Sequence, residues 1–123
     1  MIKVPSSLFA RKLPSPEPIW KLNDDGSYDV DGDVCLNSQG ITKLPYKFGR
    51  VTGHFICDRN KLTTLEGSPK IVGGGFYCYH NKLISLDGAP TEVGGDFYCD
   101  YNITKFNVED VKKVCNVKGM IYV

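Results

Sequence analysis

The thiols of Cys57, Cys78 and Cys99 recur at intervals of 21 residues, while Cys35 and Cys115 stand outside that register. Zinc would need a Cys-x-x-Cys or a histidine pair at ligand spacing, and a cysteine nucleophile would need a histidine held against it. Neither pattern occurs, so the registered thiols read as reduced packing residues, and no His or Asn arrangement is aimed at Cys35 or Cys115. His54 and His80 are the side chains that titrate near neutrality, and neither stands in register with a nucleophile. The run DDGSYDVDGD, Asp24 to Asp33, has the acidic density of a calcium loop. Asp29, Asp31 and Asp33 lack the later Glu of an EF-hand, however, and a hairpin turn explains the run. The chain is therefore expected to be no enzyme and to take no metal or cofactor. The side chains left for recognition are mostly aromatic: Tyr77, Tyr79, Tyr98 and Tyr101, with His80 among them.

A repeated unit positions these residues. GHFICDRNKLTTL (Gly53 to Leu65), GGFYCYHNKLISL (Gly74 to Leu86) and GDFYCDYN (Gly95 to Asn102) share one register, with Phe55, Phe76 and Phe97, and Asn60, Asn81 and Asn102, each 21 residues apart. A fixed step of that size means stacked copies of one small unit. A weaker first copy begins at Gly32, where Val34 and Leu36 precede Phe55 and Cys57 by one period; Leu36 holds the inward place and Cys35 faces outward. Pro69 and Pro90 forbid a long helix on the return to the next copy, which must be extended or turn-like. The fourth copy is one residue short after Asn102, which puts Ile103 and Phe106 in the two Leu places. Each Asn is expected to bond the backbone of the next coil as a ladder. Gly32, Gly53, Gly74 and Gly95 mark either a positive φ or a coil contact with no room for Cβ; a phosphate cradle does not fit, since no helix follows them.

The ends differ from the middle. Residues 1 to about 19 form an arm broken by Pro5, Pro14, Pro16 and Pro18, with at most a helical turn at Ser7 to Lys12 and Leu8, Phe9 and Leu13 as anchors. Trp20 and Leu22, a turn at Asn23 to Gly26, and Tyr28 and Val30 make a hairpin cap. After Asn107, an N-cap, a short helix is expected over Val108 to Cys115, carried by Val108, Val111, Val114 and Cys115. A last strand follows, with Ile121 and Val123 in the places of Phe97 and Cys99. The divisions are thus 1–31 for arm and hairpin, 32–106 for the repeats and 107–123 for the C-terminal cap.

The totals agree with one small domain. In 123 residues, 15 Lys and Arg face 14 Asp and Glu for a formal charge of +1, a balance that does not point to a polyanion binder. Hydrophobic content of 41% is that of a folded chain. Neither a signal-peptide core nor an 18-residue apolar run is apparent, so a cytoplasmic protein is expected.

The formula F-x-C-x-x-N-x-L-x-x-L, carried by Phe76, Cys78, Asn81, Leu83 and Leu86, resembles the leucine-rich repeat in its short bacterial class, with Phe and Cys in the first two apolar places. The VGG and FYC repeats are also similar to small repeat proteins of phages and prophages. The resemblance covers about residues 20 to 106. It implies a mainly β, right-handed, leucine-rich-repeat-like solenoid of about four 21-residue coils with a parallel sheet. The hairpin cap would stand at one end and the helix-plus-strand cap at the other, since an uncovered end would expose core and strand edge. It also implies a binding module.

On such a stack the outward strand positions share one open face: Cys35 and Asn37; Ile56, Asp58 and Arg59; Tyr77, Tyr79 and His80; Tyr98, Asp100 and Tyr101. Aromatic residues there bring contact area at low entropic cost, as at binding hot spots, although Tyr also has high strand propensity. The expected function is docking of a protein, a host cytosolic protein on the phage resemblance. The alternatives are single-stranded nucleic-acid binding, with Tyr rings on bases and Arg59, Lys61 and Lys82 near phosphates, or self-association through a terminal strand edge.

Overall fold

The computed structural model describes residues 17–123; the arm's proline breaks before that point and its possible turn at Ser7 to Lys12 lie outside the described residues. Strand β1 (Ile19–Leu22) turns at Asn23 to Gly26 and pairs antiparallel with β2 (Tyr28–Asp31), Trp20 opposite Val30. Gly26 takes a φ of 86° there and donates to Asn23 O at 3.1 Å, a conformation glycine adopts without penalty. The acidic run is thus the hairpin itself.

Beyond the hairpin, each turn of the solenoid lays down two short strands. One limb gives β3 (Val34–Cys35), β5 (Phe55–Ile56), β7 (Phe76–Tyr77), β9 (Phe97–Tyr98) and β11 (Ile121–Tyr122), parallel neighbours in a 5-stranded sheet. The return limb is extended, and it builds a second sheet: β4 (Phe48–Val51), β6 (Ile71–Val72), β8 (Glu92–Val93) and β10 (Asn116–Val117) join the hairpin in a 6-stranded sheet of order β1-β2-β4-β6-β8-β10. Registers step by one coil, Phe55 on Phe76 on Phe97 in the first sheet and Val51 on Val72 on Val93 in the second. The C-terminal segment completes a fifth turn, with Ile121 opposite Phe97.

The core is the space between the sheets. Phe55, Phe76 and Phe97 are fully buried and stack with centroids 5.7 and 5.1 Å apart; Cys57, Cys78 and Cys99 are buried beside them, and Leu36 takes their place in the first coil. Trp20 closes the N-terminal end edge-on to Tyr28 and Phe48, at 5.3 and 5.5 Å. At the other end α1 (Val108–Val114) starts in a capping box, Asn107 Oδ1 accepting from Asp110 N at 2.8 Å and Asp110 Oδ2 from Asn107 N at 2.9 Å. Val111 and Cys115 cover the core while Val108 and Val114 are exposed, so a single turn of the expected apolar face is used. No helix among the described residues is long and apolar enough to cross a membrane.

The asparagine ladder exists but runs the other way from the expectation: each amide bonds the preceding coil. Asn81 Nδ2 donates to Cys57 O at 3.1 Å and to its own coil's Cys78 O at 3.1 Å, while Oδ1 accepts from Leu62 N at 3.0 Å. Asn60 reaches Leu36 O, and Asn102 reaches Cys78 O and Leu83 N, in the same manner. The strand limb turns at this corner, leaving the previous coil's carbonyl and amide without strand partners, and the side chain supplies both. The fourth coil also departs from expectation. Phe106 is buried in the second Leu place, but Ile103 is 66% exposed; Thr104 lies over Leu83 instead, its amide donating to Leu83 O at 3.0 Å. Of the four registered glycines only Gly32 has a positive φ, 128°; at Gly74 a Cβ would meet Gly53 C at 3.0 Å and His54 Nδ1 at 2.6 Å, so close approach of coils is the reason there.

Candidate functional site

The outer side of the 5-stranded sheet is a grid with one row per coil. Its central column runs Cys35, Ile56, Tyr77, Tyr98, Tyr122, held in register by the parallel ladder. Tyr77 and Tyr98 stack at 4.7 Å and 10°, and Tyr98 and Tyr122 at 4.5 Å and 8°. Because strands lie about 4.8 Å apart, near the thickness of stacked rings, identical residues in register stack without leaving their strands. The rings lean back along their strands, Tyr77 over Gly75 and Tyr98 with its hydroxyl 3.5 Å from Asp96 Oδ2. His54 meets Tyr77 edge-on at 5.9 Å.

Partial burial, then the carboxylates of Asp96 and Asp33, pushes the Tyr77 hydroxyl above its usual range. For Tyr98 burial leads again, followed by Tyr77 and Asp96. Both hydroxyls therefore remain protonated hydrogen-bond donors at neutral pH.

The next columns lie at the corner. Tyr79 is half-buried, tilted towards Tyr98 at 6.0 Å, and Arg59 sits over its ring at 5.4 Å. Beyond it Ser38, Arg59, His80 and Tyr101 all occupy the left-handed region, with φ between 54° and 56°. Glycine or asparagine adopts that conformation most readily, and a bulky side chain there costs on the order of 1 kcal/mol. His80 and Tyr101, both exposed, stack at 4.5 Å and 10°.

Two residues expected on the open face behave differently. Asp58 is 2% exposed, because the left-handed Arg59 folds back over it, Nη1 to Oδ2 at 3.4 Å, and it is withdrawn from the surface. Asp100, in the same column, is half-buried, and its Oδ1 is buried without a hydrogen-bond partner. Where Arg59 follows Asp58, Tyr101 follows Asp100, and no cation among the described residues pairs with it. Ile56 is half-buried beside the tyrosine column, and Arg59, His80 and Tyr101 are exposed as expected.

Sequence reading missed two members. Tyr122 extends the stack, and the placement of Ile121 opposite Phe97 already put it in the Tyr98 column. His54 serves the coil contacts: its Nδ1 accepts from Gly75 N at 2.8 Å, as Asp33 Oδ1 accepts from His54 N at 2.7 Å and Asp96 Oδ1 from Met120 N at 2.8 Å. The second histidine is thereby tied to architecture. Cys57, Cys78 and Cys99 point away from this face into the core, and burial pushes the Cys99 thiol up to about 12 and the Cys78 thiol well above its usual value, which leaves them unreactive at neutral pH. No protein-family model, curated protein or solved structure matches the chain.

Proposed function

We propose that the chain is a non-enzymatic binding module that docks a protein on the outer side of its 5-stranded sheet, around Tyr77, Tyr79, His80, Tyr98 and Tyr101. The observation that carries this reading is the aromatic grid itself, which lies on the one side of that sheet that coil stacking does not need. Rings fixed in stacks lose little entropy on binding and present edges and hydroxyls in a fixed pattern. The resemblance to small phage and prophage repeat proteins supports a host cytosolic protein as the partner, its inhibition or modulation as the outcome, and the cytoplasm as the location. Stacking argues against the nucleic-acid alternative, because bases need free ring faces and Tyr98 has both of its faces covered and Tyr77 one.

The test is affinity capture from host cytosol with the wild-type chain and with the double variant Tyr79→Ala/Tyr98→Ala, followed by reconstitution with the purified partner. The double variant should keep its circular dichroism spectrum and lose the partner. A partner that binds both chains equally rules out this face.

A further inference from the structure

We infer that the partner contributes an acidic, extended segment that lies along the corner beside the tyrosine grid, on Arg59, Lys61, His80, Lys82 and Lys105; this rests on the docking reading above and specifies its partner. The chain as a whole is nearly neutral, 15 cations against 14 anions, but the charges on this limb are of one sign. Along the corner limb, residues 38–43, 59–64, 80–85 and 101–105 carry Lys43, Arg59, Lys61, Lys82 and Lys105 and no Asp or Glu. All five cations are exposed, as is His80. Among the described residues, no carboxylate forms an ion pair with Lys43, Lys61, Lys82 or Lys105; Arg59 alone is paired, to the buried Asp58. Of the acids on this face, Asp33 and Asp96 stand at the opposite edge and take up amides of the following coil, while Asp58 is buried under Arg59 and Asp100 is half-buried.

A second observation points to the same corner. Arg59, His80 and Tyr101 hold the left-handed conformation in successive coils, although glycine would hold it with less strain. Strain of this kind persists where a side chain is needed for something other than the fold. The corner spans four coils, about 14 Å at ~4.8 Å per strand, which an extended polypeptide of about five residues covers at ~3.3 Å each. Carboxylates on that segment would meet cations once per coil, beside the Tyr79 hydroxyl, which lies 3.5 Å from Arg59 Nη1.

The experiment uses the whole chain, immobilised, against a displayed library of random peptides of about twelve residues, long enough to overrun the corner. Enriched peptides should be rich in Asp and Glu, and the variant Arg59→Glu/Lys61→Glu/Lys82→Glu, shown folded by circular dichroism, should bind them at least about tenfold more weakly, as loss of several charge contacts implies. Neutral or basic winners, acidic winners that bind the reversed variant equally well, or no enrichment over a bare surface would each overturn the inference. If winners without acids are still lost in Tyr79→Ala/Tyr98→Ala, the docking face stands and only the acidic segment falls. If acidic winners bind that double variant undiminished, the corner stands and the tyrosine-centred reading falls. Oligothymidylate, run as a labelled competitor, should bind more weakly than the peptides; tighter binding would assign the corner to nucleic acid and overturn the proposal.

Discussion

The two parallel sheets of this solenoid share an inner logic and differ outside. Both bury one column per coil, Phe55, Phe76 and Phe97 in one and Val51, Val72 and Val93 in the other. Outside, the 6-stranded sheet carries Arg50, Ile71, Glu92 and Asn116 in one register column, with no shared chemistry. The 5-stranded sheet carries stacked tyrosines in the equivalent place. Strand propensity favours Tyr equally in both sheets, so it does not explain why the aromatic column is confined to one. The inner columns are fixed by the need of each coil for its neighbour, whereas coil stacking does not fix the chemistry of the outer column of the 5-stranded sheet, where the proposed docking face lies.

Neighbouring residues on β7 give the strongest test of that division. Phe76→Ala opens a cavity among fully buried rings and should destabilise the fold by roughly 3–5 kcal/mol. Tyr77→Ala, one residue on and half-buried on the outer side, removes the stack on Tyr98 and the edge contact with His54 and should cost about 1–2 kcal/mol. Chemical denaturation of both variants checks the difference; equal losses would erase the distinction between inner and outer columns.

The corner carries the next largest effect. Asn81→Ala leaves Leu62 N and Cys57 O without their side-chain partner in a buried place and should cost roughly 1–3 kcal/mol. A negligible change of melting temperature would mean that water replaces the amide and that the ladder does not hold the coils together.

The thiols sharpen the comparison by pH, because only the 5-stranded sheet has a cysteine column behind it. Burial, then Asp100 and Asp110, raises the Cys99 thiol from an ordinary value of 9.0 to about 12. A thiol whose pKa is higher in the folded state binds its proton more tightly there, so its contribution is complete below about pH 9 and is lost as the pH rises towards 12. Thermal melts between those limits should show falling stability, with a shallower slope in Cys99→Ala. An unchanged slope would mean that Cys99 ionises in the folded protein as it does unfolded.

Much of this division was legible in the chain because it is periodic. The 21-residue step of Phe, Cys and Asn and the alternation along each strand placed the inner set, including the exchange of Leu36 for cysteine in the first coil. The second sheet was harder to see, since its strands are mostly two residues long and give no alternation. Its mark is Val-x-Gly, at Val30, Val51, Val72, Val93 and Val117, where the last interval widens to admit α1. The left-handed column gave no mark at all, because Arg59, His80 and Tyr101 are not residues that signal a positive φ. The burial of Asp58 followed from that same backbone turn, which alternation alone does not describe.

The smallest expected effect bears most directly on whether the outer face is left over from folding. His80→Gly relieves a left-handed side chain, a gain on the order of 1 kcal/mol. Against it stand the loss of the stack on Tyr101, about 0.5–1.5 kcal/mol, and the extra freedom of glycine in the unfolded chain, about 0.5–1 kcal/mol. The terms oppose one another, and stability should change by less than about 1 kcal/mol, while affinity for a partner docked on Tyr79, His80 and Tyr101 falls, because truncating residues in a docking patch removes contacts. Loss of more than ~2 kcal/mol, beyond the usual reach of a surface substitution, would show that the histidine supports the corner itself. The column of Arg59, His80 and Tyr101 would then belong to the architecture, and the recognition surface would shrink to the tyrosine stack.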